Sequence, residues 1–291
     1  GLTHSIPDSS GVIVQTPLGG IVNTGDVRVE NKNGVPVEEE VEQYAFFKDE
    51  NILMLLMDST NIERNGWSAS ETEVYDNLDR IIRETNGRLF ISTFSSQVER
   101  MMSILRSAKQ HGKYVAFDGR SIVSNMAIAE QLELTDFSHV VPLKEISDYP
   151  PNKIIVIVTG AQGEQFASLN RAARGEHKHI TFESSDTVVL SSSIVPGNSY
   201  NVAQMKNQLY RGSYNVIAHS DNKVHASGHG NREELKWVHN QIPYKFFVPI
   251  HGEPYMIRLH AKMGYEELGL TKETMVIPDD GSIIEMRDNA S

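Results

Sequence analysis

The chain has 291 residues, 39% of them hydrophobic, with 27 Lys+Arg against 38 Asp+Glu and a formal net charge of −11. That balance excludes global disorder and a blanket electrostatic grip on nucleic acid, leaving room only for a local basic groove. Cysteine is absent, which excludes disulfides, thiolate nucleophiles and cysteine-based zinc or iron–sulfur sites, so any transition metal must rest on His, Asp and Glu.

Two short strands, 11–16 and 20–24, are predicted around the turn Pro17-Leu18-Gly19. The polar, acidic stretch 31–42 reads as a surface loop, with Glu38, Glu39, Glu40 and Glu42 solvated. The apolar run Ile52 to Met57 has strand length and suits a sheet buried on both faces. Ser68 to Glu71 fits a capping box, and Val74, Leu78, Ile81 and Ile82 follow at helical spacing. The pattern continues with strand 88–93, helix 97–110, strand 114–117 and helix 122–131. After a break at Pro150-Pro151 come strand 153–158, a helix near 165–173, strand 187–190 and helix 202–210. The last third adds strand 215–219, helix 233–240, strand 245–249, helix 255–268 and a closing hairpin joining 275–277 to 282–286.

Alternating strands and helices with short joints predict an α/β fold with largely parallel strands, whose sites gather at the carboxyl ends of strands. The longest apolar runs are far below the ~20 residues of a membrane-spanning helix, and no basic-then-apolar signal segment opens the chain. A soluble, cytoplasmic protein without a membrane partner is expected.

Polar chemistry collects at the predicted strand exits: Thr24-Gly25-Asp26, Asp58-Ser59-Thr60-Asn61 and Ile250-His251-Gly252-Glu253, together with His225-Ala226-Ser227-Gly228-His229 and the opening His4 to Ser9. Taken singly, an Asp after a strand is more often a turn or helix cap, and a lone His a surface group. Taken jointly, histidines and aspartates flanked by small residues point to one shared site of imidazole and carboxylate, the donor set a cysteine-free chain would offer zinc.

These stretches, with STFSSQ (92–97), DGRS (118–121), TGAQGE (159–164), ARGEHK (173–178) and LSSSIVPGN (190–198), resemble the metallo-β-lactamase/β-CASP nucleases, and within them the bacterial ribonuclease J branch. The motifs run in that family's order, and 22 residues separate both His4 from Asp26 and His229 from His251. The resemblance implies a partial metallo-β-lactamase αβ/βα sandwich, 1–68 with 221–291, interrupted by an inserted α/β β-CASP domain, 69–220. It implies a zinc-dependent ribonuclease that hydrolyses RNA phosphodiesters as a 5′-to-3′ exonuclease and endonuclease, prefers a 5′-monophosphate and forms homo-oligomers in its full-length form. His4, Asp26 and His251 match metal ligands, with Asp26 bridging two zinc ions. Asp58 and His229 match an acid–imidazole pair that assists leaving-group protonation. Ser95, Ser96, His225 and Ser227 match a 5′-phosphate pocket, with Arg120 a backbone-phosphate contact.

The family's HxHxDH signature is absent. The chain is therefore expected to be a fragment without appreciable nuclease activity on its own. A non-catalytic RNA- or nucleotide-binding β-CASP module is the alternative. A Rossmann-like small-molecule enzyme is tempting at Gly160-Ala161-Gln162-Gly163-Glu164, but the third glycine of GxGxxG is missing. Arg171, Arg174 and Lys178 read as favourable charges at a helix end or as RNA-facing cations.

Overall fold

The computed structural model describes residues 1–4, 8–195, 197–212, 214–218 and 222–287. Ser5, Ile6 and Pro7 of the first motif, Pro196 and His219 lie outside the described residues. Two compact units result, Gly1–Ser70 with Ser227–Ser291, and Glu71–Ala226. No helix among the described residues is long and apolar enough to cross a membrane.

In the first unit, β1 (Val12–Thr16) and β2 (Gly19–Asn23) pair antiparallel across the Pro17-Leu18 turn. β5 (Ile52–Asp58) and β11 (Tyr244–Ile250) extend the sheet in parallel, giving the order β1-β2-β5-β11. β5 is interior, with neighbours on both edges and helices to cover it, so it reads as an unbroken apolar run rather than an alternating one. Leu55, Met57, Val22 and Phe247 join Tyr44, Leu235, Val238 and Met263 from α1 (Glu38–Ala45), α7 (Arg232–Gln241) and α8 (Pro254–Glu267) in one buried core.

In the second unit, five parallel strands run in the order β10-β9-β6-β8-β7: β6 (Leu89–Thr93), β7 (Tyr114–Asp118), β8 (Ile154–Val158), β9 (Thr187–Ser191) and β10 (Asn215–Ala218). Every residue of β6, β8 and β9 is buried. α2 (Glu71–Glu84) precedes β6, and the crossovers carry α3 (Val98–Gln110), α4 (Arg120–Gln131), α5 (Ser168–Ala173) and α6 (Ser199–Arg211). In α2 the buried positions are Val74, Leu78, Ile81 and Ile82, the stripe the spacing predicts. Gly163 (φ +72°) is obligatory in its loop, since a Cβ there would stand 2.4 Å from the Asn201 carbonyl carbon.

Four expectations are corrected. The stretch 31–42 is a two-stranded ribbon, β3 (Asn31–Lys32) and β4 (Val35–Pro36), leading into α1. Its acidic run opens that helix, where carboxylates face the positive dipole end, and Glu40 is buried, accepting the Glu30 N–H at 2.8 Å. Ser68 does not cap α2, which begins at Glu71. Its N–H and hydroxyl donate instead to Glu234, which forms a capping box with Asn231 at the start of α7. The closing hairpin does not form: Met275 bridges in parallel to Phe247, and Val276 donates to the Phe247 carbonyl, so this segment borders β11. Finally, residues 223–230 form irregular chain, not a strand exit.

A buried polar chain crosses the first unit. Ser59 Oγ lies 2.9 Å from His260 Nδ1, His260 Nε2 lies 2.9 Å from His239 Nε2, and His239 Nδ1 lies 2.7 Å from the Tyr244 hydroxyl. One proton serves the two facing Nε2 atoms, so both rings are neutral. Burial pushes His239 well down and His260 down to about 3. Each group's folded pKa lies below its unfolded value, so its contribution is present above about pH 6.5 and is lost as pH falls through that value. For His260 the loss between pH 6.5 and 5 is about 2 kcal/mol. Both tryptophans, Trp67 and Trp237, belong to this unit. The urea midpoint read by tryptophan fluorescence should therefore drop markedly from pH 7 to pH 5, with a shallower drop in His260→Gln; equal midpoints would contradict neutral burial.

Candidate active site

Parallel register brings three strand exits side by side. Asn23 of β2 pairs with Leu56 of β5, and Ile250 of β11 pairs with Asp58. The chain then leaves β2 through Gly25 (φ +57°), whose N–H donates to Asn23 Oδ1, and delivers Asp26. It leaves β5 at Asp58 and β11 at His251, with the Ser59 N–H donating to the His251 carbonyl at 3.2 Å. His251 holds φ +55°, a conformation non-glycine residues rarely adopt and one that collects at functional positions. His4 and His229 complete the group.

Three imidazoles turn their Nε2 atoms toward the Asp26 carboxylate: His251 at 3.3 Å, His4 at 3.6 Å and His229 at 4.0 Å. Each Nδ1 is engaged behind it. His4 Nδ1 donates to the Gly228 carbonyl at 2.5 Å, and His229 Nδ1 donates to Asp58 Oδ2 at 2.6 Å. His251 Nδ1 faces Asp58 Oδ1 at 3.3 Å and Thr60 Oγ1 at 3.0 Å. A donating Nδ1 fixes the tautomer and leaves the lone pair on Nε2, the preparation a metal-binding histidine needs. The atoms of Asp26, His229 and His251 all lie within 4.8 Å of one another, close enough to share one cation. Burial holds His4 down, in its neutral form, against the Gly228 bond.

Asp58 is the anchor. It is 1% exposed and accepts from His229 and His251, the Thr60 N–H and hydroxyl (2.9 and 2.7 Å) and the Val27 N–H (3.3 Å). Burial alone would raise its pKa, but the His229 and His251 hydrogen bonds hold it well below the usual carboxylate range. The same bond to Asp58 pushes His251 up.

The remaining predicted residues are distributed as follows. Ser95 and Ser96 are half-buried in the loop after β6, where the Ser95 carbonyl accepts from Asn125 at 2.6 Å. Arg120 opens α4 and shares a cavity with Ser95. His225, in the second unit, is buried, and its Nδ1 accepts from Arg100 at 2.8 Å. Ser227, in the first unit, accepts from Asn61 Nδ2 (2.9 Å) and the His229 N–H (3.2 Å), which fills its oxygen and leaves its O–H to donate. His177, in the 173–178 stretch, pairs through Nε2 with Asp118 at 2.7 Å.

Sequence reasoning named Thr60 and Asn61 within the stretch 58–61 without giving either a role, and it passed over Arg100. Arg100 is buried, pairs with Glu71 at 2.5 Å and supports His225. Its signal was available: it stands four and eight residues before Ile104 and Ala108, on the buried stripe of α3. An arginine on an apolar stripe needs a partner inside the protein.

Residues 86–209 match the family model described as "Ribonuclease J, beta-CASP domain", and residues 213–278 match "Zn-dependent metallo-hydrolase RNA specificity domain". Over 286 residues the chain is 37% identical to a Thermus thermophilus protein named ribonuclease J, covering 97% of this chain and 49% of that protein. Proteins of the same name from Synechocystis and Helicobacter pylori are 36% and 31% identical, with 98% of this chain and 44% and 42% of theirs covered. The chain thus spans about half the length of the curated relatives it matches. A solved structure of a protein of unknown function from Enterococcus faecalis shares the fold, with a TM-score of 0.65 at 16% identity, covering 97% of this chain and 62% of that one.

Proposed function

Because this chain belongs to the metallo-β-lactamase/β-CASP family in its ribonuclease J branch, we propose that it carries the metal-holding and RNA-binding residues of a zinc-dependent ribonuclease. The observation that supports this best is the convergence of three Nε2 lone pairs on one carboxylate, each imidazole fixed from behind. Two of these imidazoles, those of His4 and His251, with the Asp26 carboxylate are fitting donors for zinc. We assign His4, Asp26 and His251 as ligands, with Asp26 between two ions in a complete site. The first unit is then the metallo-β-lactamase part and the second the inserted β-CASP domain.

Bound there, zinc would neutralise phosphodiester charge and lower the pKa of water. The protein's own groups manage the proton. Asp58 stays ionised and holds the His229 ring by its Nδ1–H, so His229 Nε2 is placed to pass a proton to a departing ribose oxygen. Preference for a 5′-monophosphate is assigned to Ser95, Ser96, His225 and Ser227, whose hydroxyls and imidazole can donate to an anion. The RNA substrate and the cysteine-free composition suit the cytoplasm, and the full-length protein is assigned as a homo-oligomer.

The test combines zinc competition with binding and hydrolysis of one RNA bearing either a 5′-monophosphate or a 5′-hydroxyl. Zinc binding, with several-fold tighter retention of the monophosphorylated RNA that Ser95→Ala/Ser96→Ala abolishes, is the expected result. Absence of zinc binding would sink the ribonuclease reading, and indifference to the 5′ end would sink the end preference. Chelator-sensitive cleavage of the RNA by this chain alone would overturn the expectation that it lacks appreciable nuclease activity on its own.

A further inference from the structure

The left-handed backbone of His251 (φ +55°) is held by the residues that leave β5. Its carbonyl accepts the Ser59 N–H at 3.2 Å and the Thr60 hydroxyl at 3.1 Å, and its ring faces Asp58 and Thr60. Such a conformation at a residue other than glycine persists only where its surroundings over-determine it. What holds His251 must therefore itself be held.

Ser59 is fully buried, and its Oγ lies 2.9 Å from His260 Nδ1, the near end of the chain through His239 to Tyr244. Both histidines are buried, and neither faces the Asp26 carboxylate. The tautomers that give every proton an acceptor among the described residues run in one direction. The Tyr244 hydroxyl donates to His239 Nδ1, and His239 Nε2–H donates to His260 Nε2. His260 Nδ1–H then donates to Ser59 Oγ, whose own hydroxyl is left to reach the Met57 carbonyl at 3.5 Å. Burial pushes the Tyr244 phenol up, so it keeps the proton it donates. The members of such a buried chain support one another, and the loss of one is felt at its end.

These residues lie on the elements that leave the candidate metal centre. Ser59 follows Asp58 at the end of β5. α7, which carries His239, starts three residues after His229, and α8, which carries His260, starts three residues after His251. β11 opens with Tyr244 and ends at Ile250, next to His251. The hydrogen-bonded chain thus fastens together, behind the site, the same segments that meet in it.

We propose that His260 and His239 are positioning residues of this centre: they fix the loop at Ser59, and through it the backbone that aims His251 Nε2 at Asp26. Their effect on metal binding rests on the reading of Asp26 and His251 as ligands, whereas the fixing of the loop does not need the metal.

The test compares His260→Asn with His260→Gln in the full chain. The short asparagine amide places its nitrogen where Nδ1 stood and keeps the bond to Ser59. The longer glutamine amide reaches the Nε2 position and keeps His239 instead. Each variant breaks the chain once, so a merely structural histidine predicts similar effects from both. Amide exchange at Ser59, followed by NMR in metal-free protein, should quicken about tenfold or more in His260→Gln and stay within about twofold of the native rate in His260→Asn. Zinc affinity, read on folded protein by competition with a chromophoric chelator, should follow the same order, falling about tenfold in His260→Gln. Ser59→Ala should match His260→Gln, and the double variant should be no weaker than either alone, because both remove one link. Ser59 exchange indifferent to both His260 variants, or zinc affinity that falls equally in the two, would overturn the proposal. Exchange in the expected order in a native chain that holds no zinc would uphold the fixing of the loop and overturn the metal reading of the site instead.

Discussion

Asp26→Asn should lower zinc affinity by on the order of a hundredfold or more, and with it any metal-dependent hydrolysis, while leaving the protein folded. Asp26 is the one group toward which all three Nε2 atoms point, so its charge holds the donor set together. Asparagine keeps the shape and one acceptor oxygen but removes the negative charge, and His4 and His251 are then neutral donors without a carboxylate between them. The Asp26 side chain is about a third exposed and bears no core packing, so fluorescence-detected unfolding should scarcely move. Competition against a chromophoric zinc chelator measures the effect. Unchanged affinity would place the metal elsewhere.

Glu234→Ala should strongly destabilise the fold of the first unit. This fully buried carboxylate accepts from the Asn231 N–H at 2.9 Å, the Ser68 N–H at 2.7 Å, the Ser68 hydroxyl at 2.9 Å and the Val29 N–H at 3.3 Å. It joins three separate stretches of chain, so its loss strands several buried donors at roughly 1–3 kcal/mol each and removes half of the capping box of α7. The expected total is about 3–5 kcal/mol. Glu234→Gln keeps the volume and part of the bonding and should cost less. Because Trp67 and Trp237 both lie in this unit, tryptophan fluorescence isolates the effect from the five-stranded sheet of the second unit. A midpoint shift no larger than that of an exposed glutamate would refute the role.

Sequence reasoning reached far into the fold where periodicity and burial coincide. The apolar runs that became β5 and β8 sit where both faces of a sheet are covered, so nothing in them alternates. The stripe of α2 was legible because four side chains at helical spacing have only one face to bury. It failed where long-range partners override local pattern. Ser68 to Glu71 has the spacing of a capping box, yet Glu234, 166 residues away, takes Ser68. The acidic run at 38–40 looks solvated until the chain folds Glu40 inward to meet the Glu30 N–H. Residues 275–277 have hairpin character, but the available edge of β11 offers Met275 a better ladder than residues 282–286 do.

The candidate site divides in the same way. His4, Asp26, Asp58, His229 and His251 could be singled out from the sequence as candidate donors, because a cysteine-free chain offers few others, although only Asp26, Asp58 and His251 follow or end a strand. Tertiary structure alone decided which nitrogen of each imidazole faces Asp26, since that depends on what lies behind the ring: a carbonyl for His4, and Asp58 for His229 and His251. It alone decided that Arg120 and Arg171 share a cavity with Asp118 and Glu164. Residue type and spacing are properties of the chain, whereas tautomer, charge pairing and cavity are set by contacts between segments far apart in it.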